Sequence, residues 1–163
     1  MIIRGRVWKY GDDISTDVIF PGKYTYTIHD PLEMAAHSLE GLDPDFAEKV
    51  QKGDVLVGGK NFGCGSSREQ AATCLKFSGI GAVVAKSFGR IFFRNAINNG
   101  LPLVQCAQAV DVIENGETVC IDIEKGELEC SGGKFTFTPL PGFMLEILAD
   151  GGLIPHTKKK IGR

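Results

Sequence analysis

The residues best placed to do chemistry lie between Gly59 and Ala72, around Gly63-Cys64-Gly65-Ser66-Ser67-Arg68. Glycines and serines there separate a short apolar run, Asp54 to Val57, from a segment carrying Ala71, Ala72, Cys74 and Leu75 at helical spacing. Backbone N–H groups of Gly63, Cys64 and Gly65 can form a nest at the positive end of that helix, a natural anion site. Arg68 adds a planar fork suited to a carboxylate or phosphate. Ser66 and Ser67 bring hydroxyls to the same place. A tight turn into a helix capped by Ser66-x-x-Glu69 or Ser67-x-x-Gln70 accounts for these residues without any ligand. A phosphate loop is excluded, because no Gly-Lys-Ser/Thr follows at the required spacing. A dinucleotide fingerprint is excluded too, since Arg68 stands where G-x-G-x-x-G needs its third glycine.

Cys64 is a rival centre, because a thiol at a helix N-terminus can become a nucleophile. It would need a base, and nothing in the sequence places His29, His37 or His156 beside it. The five cysteines, 64, 74, 106, 120 and 130, are odd in number and include no C-x-x-C pair. No metal site is expected on that spacing. Cys106 and Cys120 sit in apolar, strand-like surroundings and read as buried thiols.

The elements that must hold this segment alternate between strand and helix. Strands are expected at Ile3 to Trp8, Asp54 to Val57, Ala82 to Ala85 and Leu101 to Gln105. Helices are expected from Arg68 to about Phe77 and from Phe88 to Asn98, the latter closed by Gly100. Asp30-Pro31-Leu32-Glu33 has the logic of a helix start, and a further short helix begins near Asp43-Pro44. After Gly116 the period falls to two: Thr118 to Ile123, Leu128 to Cys130 and Lys134 to Thr138 form a small antiparallel region. Gly142 to Asp150 is a last helix, closed by Gly151-Gly152. Strand–loop–helix units flanked by hairpins imply one compact α/β domain over residues 1–163, with a mixed sheet and flanking helices.

Composition is that of a globular protein: 163 residues, 43% apolar, 23% charged and a net charge of −2. The balance excludes the basic stripe of a nucleic-acid binder. The one basic run, Lys158-Lys159-Lys160 with Arg163, reads as a solvated C-terminus. No apolar stretch approaches the ~20 residues of a membrane span. The N-terminus lacks the apolar core of a signal peptide, so a cytoplasmic location is expected.

Asn61-Phe62-Gly63-Cys64-Gly65-Ser66-Ser67-Arg68-Glu69-Gln70-Ala71-Ala72 closely resembles the signature of the aconitase C-terminal swivelling domain. The resemblance continues through Lys86-Ser87-Phe88-Gly89-Arg90-Ile91-Phe92, Asn95 to Pro102, Ser15-Thr16-Asp17 and Phe20-Pro21-Gly22-Lys23-Tyr24. In isopropylmalate dehydratases this domain is a separate small subunit, a length this chain fits. The resemblance implies a swivelling β/β/α domain and a hydro-lyase that isomerises 2-isopropylmalate and 3-isopropylmalate through a cis-alkene. A homoaconitase-type or dual-substrate subunit is the alternative within the family. A non-catalytic carboxylate- or phosphate-binding module is the alternative outside it.

The resemblance also implies that this chain binds no cofactor and works with a large subunit carrying a [4Fe–4S] cluster, on a 2-hydroxy dicarboxylate substrate. Whether the small subunit forms a homo-oligomer in isolation is left open. By the same resemblance Ser66 matches the catalytic base and Arg68 the substrate-carboxylate ligand. Ser67 matches a further anion contact, and Asp17 an acidic residue of the active-site network beside Thr16. An Asp following Ser-Thr also suits a turn cap. In relatives acting on tricarboxylates an arginine answers the extra carboxylate. Here Tyr26 of Tyr24-Thr25-Tyr26-Thr27 aligns with it, so a pocket lined by Thr25 and Tyr26 is expected to take an isopropyl group.

Overall fold

A computed structural model describes residues 1–162; Arg163, the last residue of the basic tail, lies outside them. Seven strands form one mixed sheet in the order β4-β3-β2-β1-β5-β6-β7. Strand β1 (Ile2–Lys9) is its pivot. On one side it runs parallel to β2 (Val55–Val57), which continues to β3 (Ala82–Ala85) and β4 (Leu103–Gln105). On the other it pairs antiparallel with β5 (Thr118–Asp122), followed by β6 (Glu127–Cys130) and β7 (Gly133–Thr136). The expected strands and the mixed α/β sheet are thus present.

The central parallel strands β2 and β3 are short and wholly apolar because both of their faces are covered. In β2 the side chains alternate: Leu56 enters one core with Val83 and Ala85, while Val55 and Val57 enter the other with Ala82, Val84 and Val104. The first core is roofed by α2 (Pro31–Ala35), α4 (Gln70–Phe77) and α5 (Arg90–Asn98), which contribute Met34, Leu75 and Phe92. The second is closed by α6 (Ala107–Val112) and the β5–β6 hairpin. As expected, Asp30 caps α2, its carboxylate accepting from the Glu33 amide at 3.1 Å. The short helix near Asp43 is α3 (Phe46–Lys49).

Three features depart from the sequence reading. Helix α6 was not expected, for its six residues are too few to display a period. The stretch after Gly151-Gly152 is a helix not expected from sequence, α8 (Leu153–Lys160), although Lys158, Lys159 and Lys160 on it are exposed, as expected of a solvated basic run. Pro155 does not prevent it, since proline is tolerated in a first turn. The third departure, the start of α4, bears on the site below.

Helix α8 is tied to α7 (Gly142–Ala149) through Asp150, whose carboxylate lies 2.8 Å from His156 Nδ1 and 3.1 Å from Lys159 Nζ. The hydrogen bond from His156, followed by that from Lys159, holds the Asp150 carboxyl below the usual carboxylate range. A group lowered in this way stabilises the fold above its unfolded pKa, and the benefit is lost as pH falls through the folded value. The melting temperature of the chain should therefore drop as pH falls below about 4. Asp150→Asn should show a smaller drop between neutral and acid pH. Melting curves followed by circular dichroism check this, and parallel acid limbs for the two proteins would contradict it.

Candidate functional site

The motif loop is positioned from beneath by aromatic packing. Phe62 bonds through its amide to the Ser87 carbonyl at 3.0 Å, and its own carbonyl accepts from Gly89 at 2.8 Å. Its ring meets Phe88 and Phe92 edge-on, at centroid distances of 6.1 and 5.5 Å. The Lys86–Phe92 segment is thus the bed on which residues 61–65 lie. Gly63 sits so close to it that a Cβ would fall 2.2 Å from the Phe92 ring, and its φ of +80° is one that L side chains rarely adopt. From the other side α1 (Thr16–Ile19), capped by the Ser15 hydroxyl, holds the loop through Thr16 N to Cys64 O at 2.8 Å and Gly63 N to Ile14 O at 2.7 Å.

Arg68 is the centre of the arrangement. Its Nε donates to Ser66 Oγ at 2.9 Å, its Nη1 to Thr25 Oγ1 at 3.1 Å and its Nη2 to Asp17 Oδ1 at 2.9 Å. Asp17 Oδ1 also accepts from the Gly22 amide at 3.0 Å. Gly22 lies so near that a side chain there would meet the Asp17 carboxylate at 2.7 Å and the guanidinium at 3.0 Å. The Thr16 hydroxyl lies 3.1 Å from the Ser66 carbonyl and 3.3 Å from Ser66 Oγ. Three expected residues, Asp17, Thr25 and Ser66, therefore converge on Arg68, and a fourth, Thr16, reaches it through Ser66. The Arg68 side chain is 20% exposed, while Ser66, Ser67 and Asp17 face solvent. A hydroxyl beside a fixed guanidinium is one whose anion is electrostatically favoured, and the open side leaves room for a substrate.

The remaining expectations need adjustment. The capping boxes are not formed: α4 begins at Gln70, with Glu69 as a cap whose side chain makes no capping bond and accepts instead from Asn99 Nδ2 at 3.2 Å. Ser66 Oγ is committed to Arg68 instead, which keeps residues 66–68 in a loop. The nest over Gly63–Gly65 is reduced, because the amides of Gly63 and Cys64 are spent on the Ile14 and Asn61 carbonyls. Among the described residues the amides of Gly65, Ser66 and Ser67 have no such acceptor, so of the three expected nest amides only that of Gly65 is left free. The Ser67 carbonyl accepts from Asn95 Nδ2 at 3.4 Å, linking the loop to α5. Ser15, not Asp17, is the cap of α1.

Tyr26 does not line a pocket within this chain, since its side chain is 88% exposed. The reason is local: Thr25 turns its hydroxyl toward Arg68, and the next side chain projects outward. His37 and His156 are engaged with Glu40 and Asp150, and neither serves Cys64. Cys106 is buried, but Cys120 is only partly so. Among the described residues no group of three His, Cys, Asp or Glu side chains could hold a metal ion. No helix among them is long and apolar enough to cross a membrane. Gln70, whose side-chain amide donates to the Thr25 carbonyl at 2.9 Å, belongs to this constellation and was read from sequence only as a capping residue.

Known proteins are similar to this chain along nearly its whole length. A family model described as the aconitase C-terminal domain matches residues 19–108. The 3-isopropylmalate dehydratase small subunit 1 of Thermotoga maritima is 52% identical over 160 residues, covering 97% of this chain and 96% of the relative. The isopropylmalate/citramalate isomerase small subunit of Methanocaldococcus jannaschii is 50% identical over 163 residues, covering 98% and 96%. A crystal structure of 3-isopropylmalate dehydratase from that organism superposes with a TM-score of 0.92 at 48% identity, covering 99% of this chain and 96% of that one. Agreement of this extent, in sequence and in fold, places the chain in the aconitase C-terminal-domain family, among the 3-isopropylmalate dehydratase small subunits.

Proposed function

We propose that this chain interconverts 2-isopropylmalate and 3-isopropylmalate in leucine biosynthesis together with an iron–sulfur large subunit, supplying Ser66 as the base and Arg68 as a substrate-carboxylate ligand. The observation that carries the reading is the 2.9 Å contact between Arg68 Nε and Ser66 Oγ. It puts a base and a carboxylate ligand side by side, which is what proton removal next to a carboxylate needs. Ser66, as the alkoxide, takes the proton from the carbon α to a carboxylate. The electron pair of that C–H bond becomes the double bond, and the hydroxyl leaves from the neighbouring carbon. Return of the proton and of water in the opposite sense completes the isomerisation.

The guanidinium stabilises the alkoxide while Asp17 and Thr25 fix its plane. Ser67 and the free amides of the loop are the further anion contacts. The [4Fe–4S] cluster, placed on the large subunit, supplies the Lewis acidity for hydroxyl departure when bound. Because Ser66, Ser67 and Asp17 are open to solvent here, the partner's surface has to exclude water from the reaction.

The isopropyl preference rests on the Tyr24-Thr25-Tyr26-Thr27 loop, which offers hydroxyls and aromatic surface and no arginine. An extra carboxylate would be left without a charged partner once the site is closed. Burying the isopropyl group instead gains ~25 cal/mol per Å². The test is kinetic and uses the assembled enzyme. Wild type should favour isopropylmalate over a homocitrate-type tricarboxylate. Tyr26→Arg should shift the ratio of catalytic efficiencies toward the tricarboxylate by about tenfold, the equivalent of ~1.4 kcal/mol. A ratio that does not move, or a wild type that strongly prefers the tricarboxylate, contradicts the loop reading.

A further inference from the structure

We infer that Gln70 is a positioning residue of this site, whose side-chain amide holds the loop at residues 22–28 so that Thr25 and the Arg68 fork keep their mutual geometry. The inference rests on the proposed roles of Arg68 and Thr25. Thr25 is gripped at two atoms by side chains two positions apart at the entrance to α4. Arg68 Nη1 reaches its hydroxyl at 3.1 Å, and Gln70 Nε2 reaches its carbonyl at 2.9 Å. The acceptor is a carbonyl, so it is the NH₂ end of the glutamine that must face it. A carboxylate in its place has no proton to give.

The outer side of the loop is fixed independently. The Tyr24 hydroxyl donates to Glu40 at 2.7 Å, Glu40 lies 2.6 Å from His37 Nδ1 and 3.6 Å from Lys23 Nζ, and the Tyr24 and His37 rings stack at 4.2 Å. Burial by itself would raise the Glu40 carboxyl, yet the bonds from His37 and Tyr24 outweigh it and leave the group below its ordinary range. The loop is thus braced from outside by Glu40, and from inside by Gln70, Arg68 and the Asp17 contact with Gly22. Of the inner three, only Arg68 has a proposed contact with substrate, and only Gln70 bonds the Thr25 carbonyl. Without it Thr25 can rotate away, and the guanidinium loses one of the three acceptors that orient it.

Two variants and two readouts test this. Gln70→Met keeps the length of the side chain and removes the donor. Gln70→Lys keeps a donor of similar reach. In the enzyme assembled with its large subunit, Gln70→Met should raise KM for 2-isopropylmalate about five- to tenfold, with kcat within about twofold. Gln70→Lys should recover most of the loss. In the chain by itself, amide hydrogen exchange at Thr25, Thr27 and Ile28 should be about tenfold faster in the Met variant, with α4 unchanged.

Unchanged loop exchange in Gln70→Met overturns the inference whether or not the enzyme is active. So does faster exchange that extends through α4, because that is general destabilisation. A KM unmoved despite faster loop exchange also overturns it. Absence of isopropylmalate activity in the wild-type assembly would instead defeat the proposed function, while the exchange measurement still decides whether Gln70 holds the loop.

Discussion

Replacing Ser66 by alanine in the assembled enzyme is expected to lower turnover by about 10²–10⁴-fold, the usual cost of losing a general base. Substrate binding should change little. Arg68 keeps its contacts to Thr25 and Asp17 when the serine oxygen is gone, so the carboxylate ligand stays in place. Folding should also be spared, because Ser66 is exposed and surface substitutions usually fall within about 0.5 kcal/mol. The pattern to look for is therefore a collapse of kcat with KM and melting temperature near the wild type. Steady-state kinetics beside a melting curve provide it, and near-normal turnover would remove Ser66 from the mechanism.

Arg68→Lys should act in the other direction, chiefly on binding. The guanidinium reaches Ser66, Thr25 and Asp17 with three different nitrogens, and a lysine ammonium is one point at the end of a flexible chain. It can keep the charge without the fork. The loss of a charge-assisted contact of about 1.5–3 kcal/mol implies a KM higher by roughly 10- to 100-fold. Some loss of kcat should accompany it, since the alkoxide at Ser66 loses its oriented donor. Unchanged KM and kcat in this variant would count against Arg68 as the substrate ligand.

Much of this was legible in the residues, and the exceptions have physical reasons. The central parallel strands announce themselves as apolar runs, such as Ala82–Ala85, because each is covered on both faces. The hairpin region announces itself by alternation. The Asp30-Pro31-Glu33 start reads correctly because capping is local chemistry. What the sequence misassigned at the site depends on contacts across the chain. Ser66 and Glu69 have capping-box spacing, yet a guanidinium two residues away takes the serine oxygen. Gly63 and Cys64 have the composition of a nest, yet their amides are claimed by Ile14 and Asn61. The link from Gln70 to Thr25 spans 45 positions, and no local pattern carries it. Helix α8 was hidden by a double glycine read as an ending, although its docking runs through Asp150 and His156.

The central claim is that this chain brings the base and a carboxylate ligand to a site that the large subunit completes. Anaerobic titration of the purified large subunit with this chain, following conversion of 2-isopropylmalate to 3-isopropylmalate, tests it most directly. The account predicts no turnover and no stoichiometric iron or sulfide in this chain by itself. It predicts activity that rises with added chain to a plateau at a fixed ratio of the two, and a mixture with Ser66→Ala that stays near the baseline. Turnover by the lone chain, or full turnover by the large subunit without it, would contradict the account.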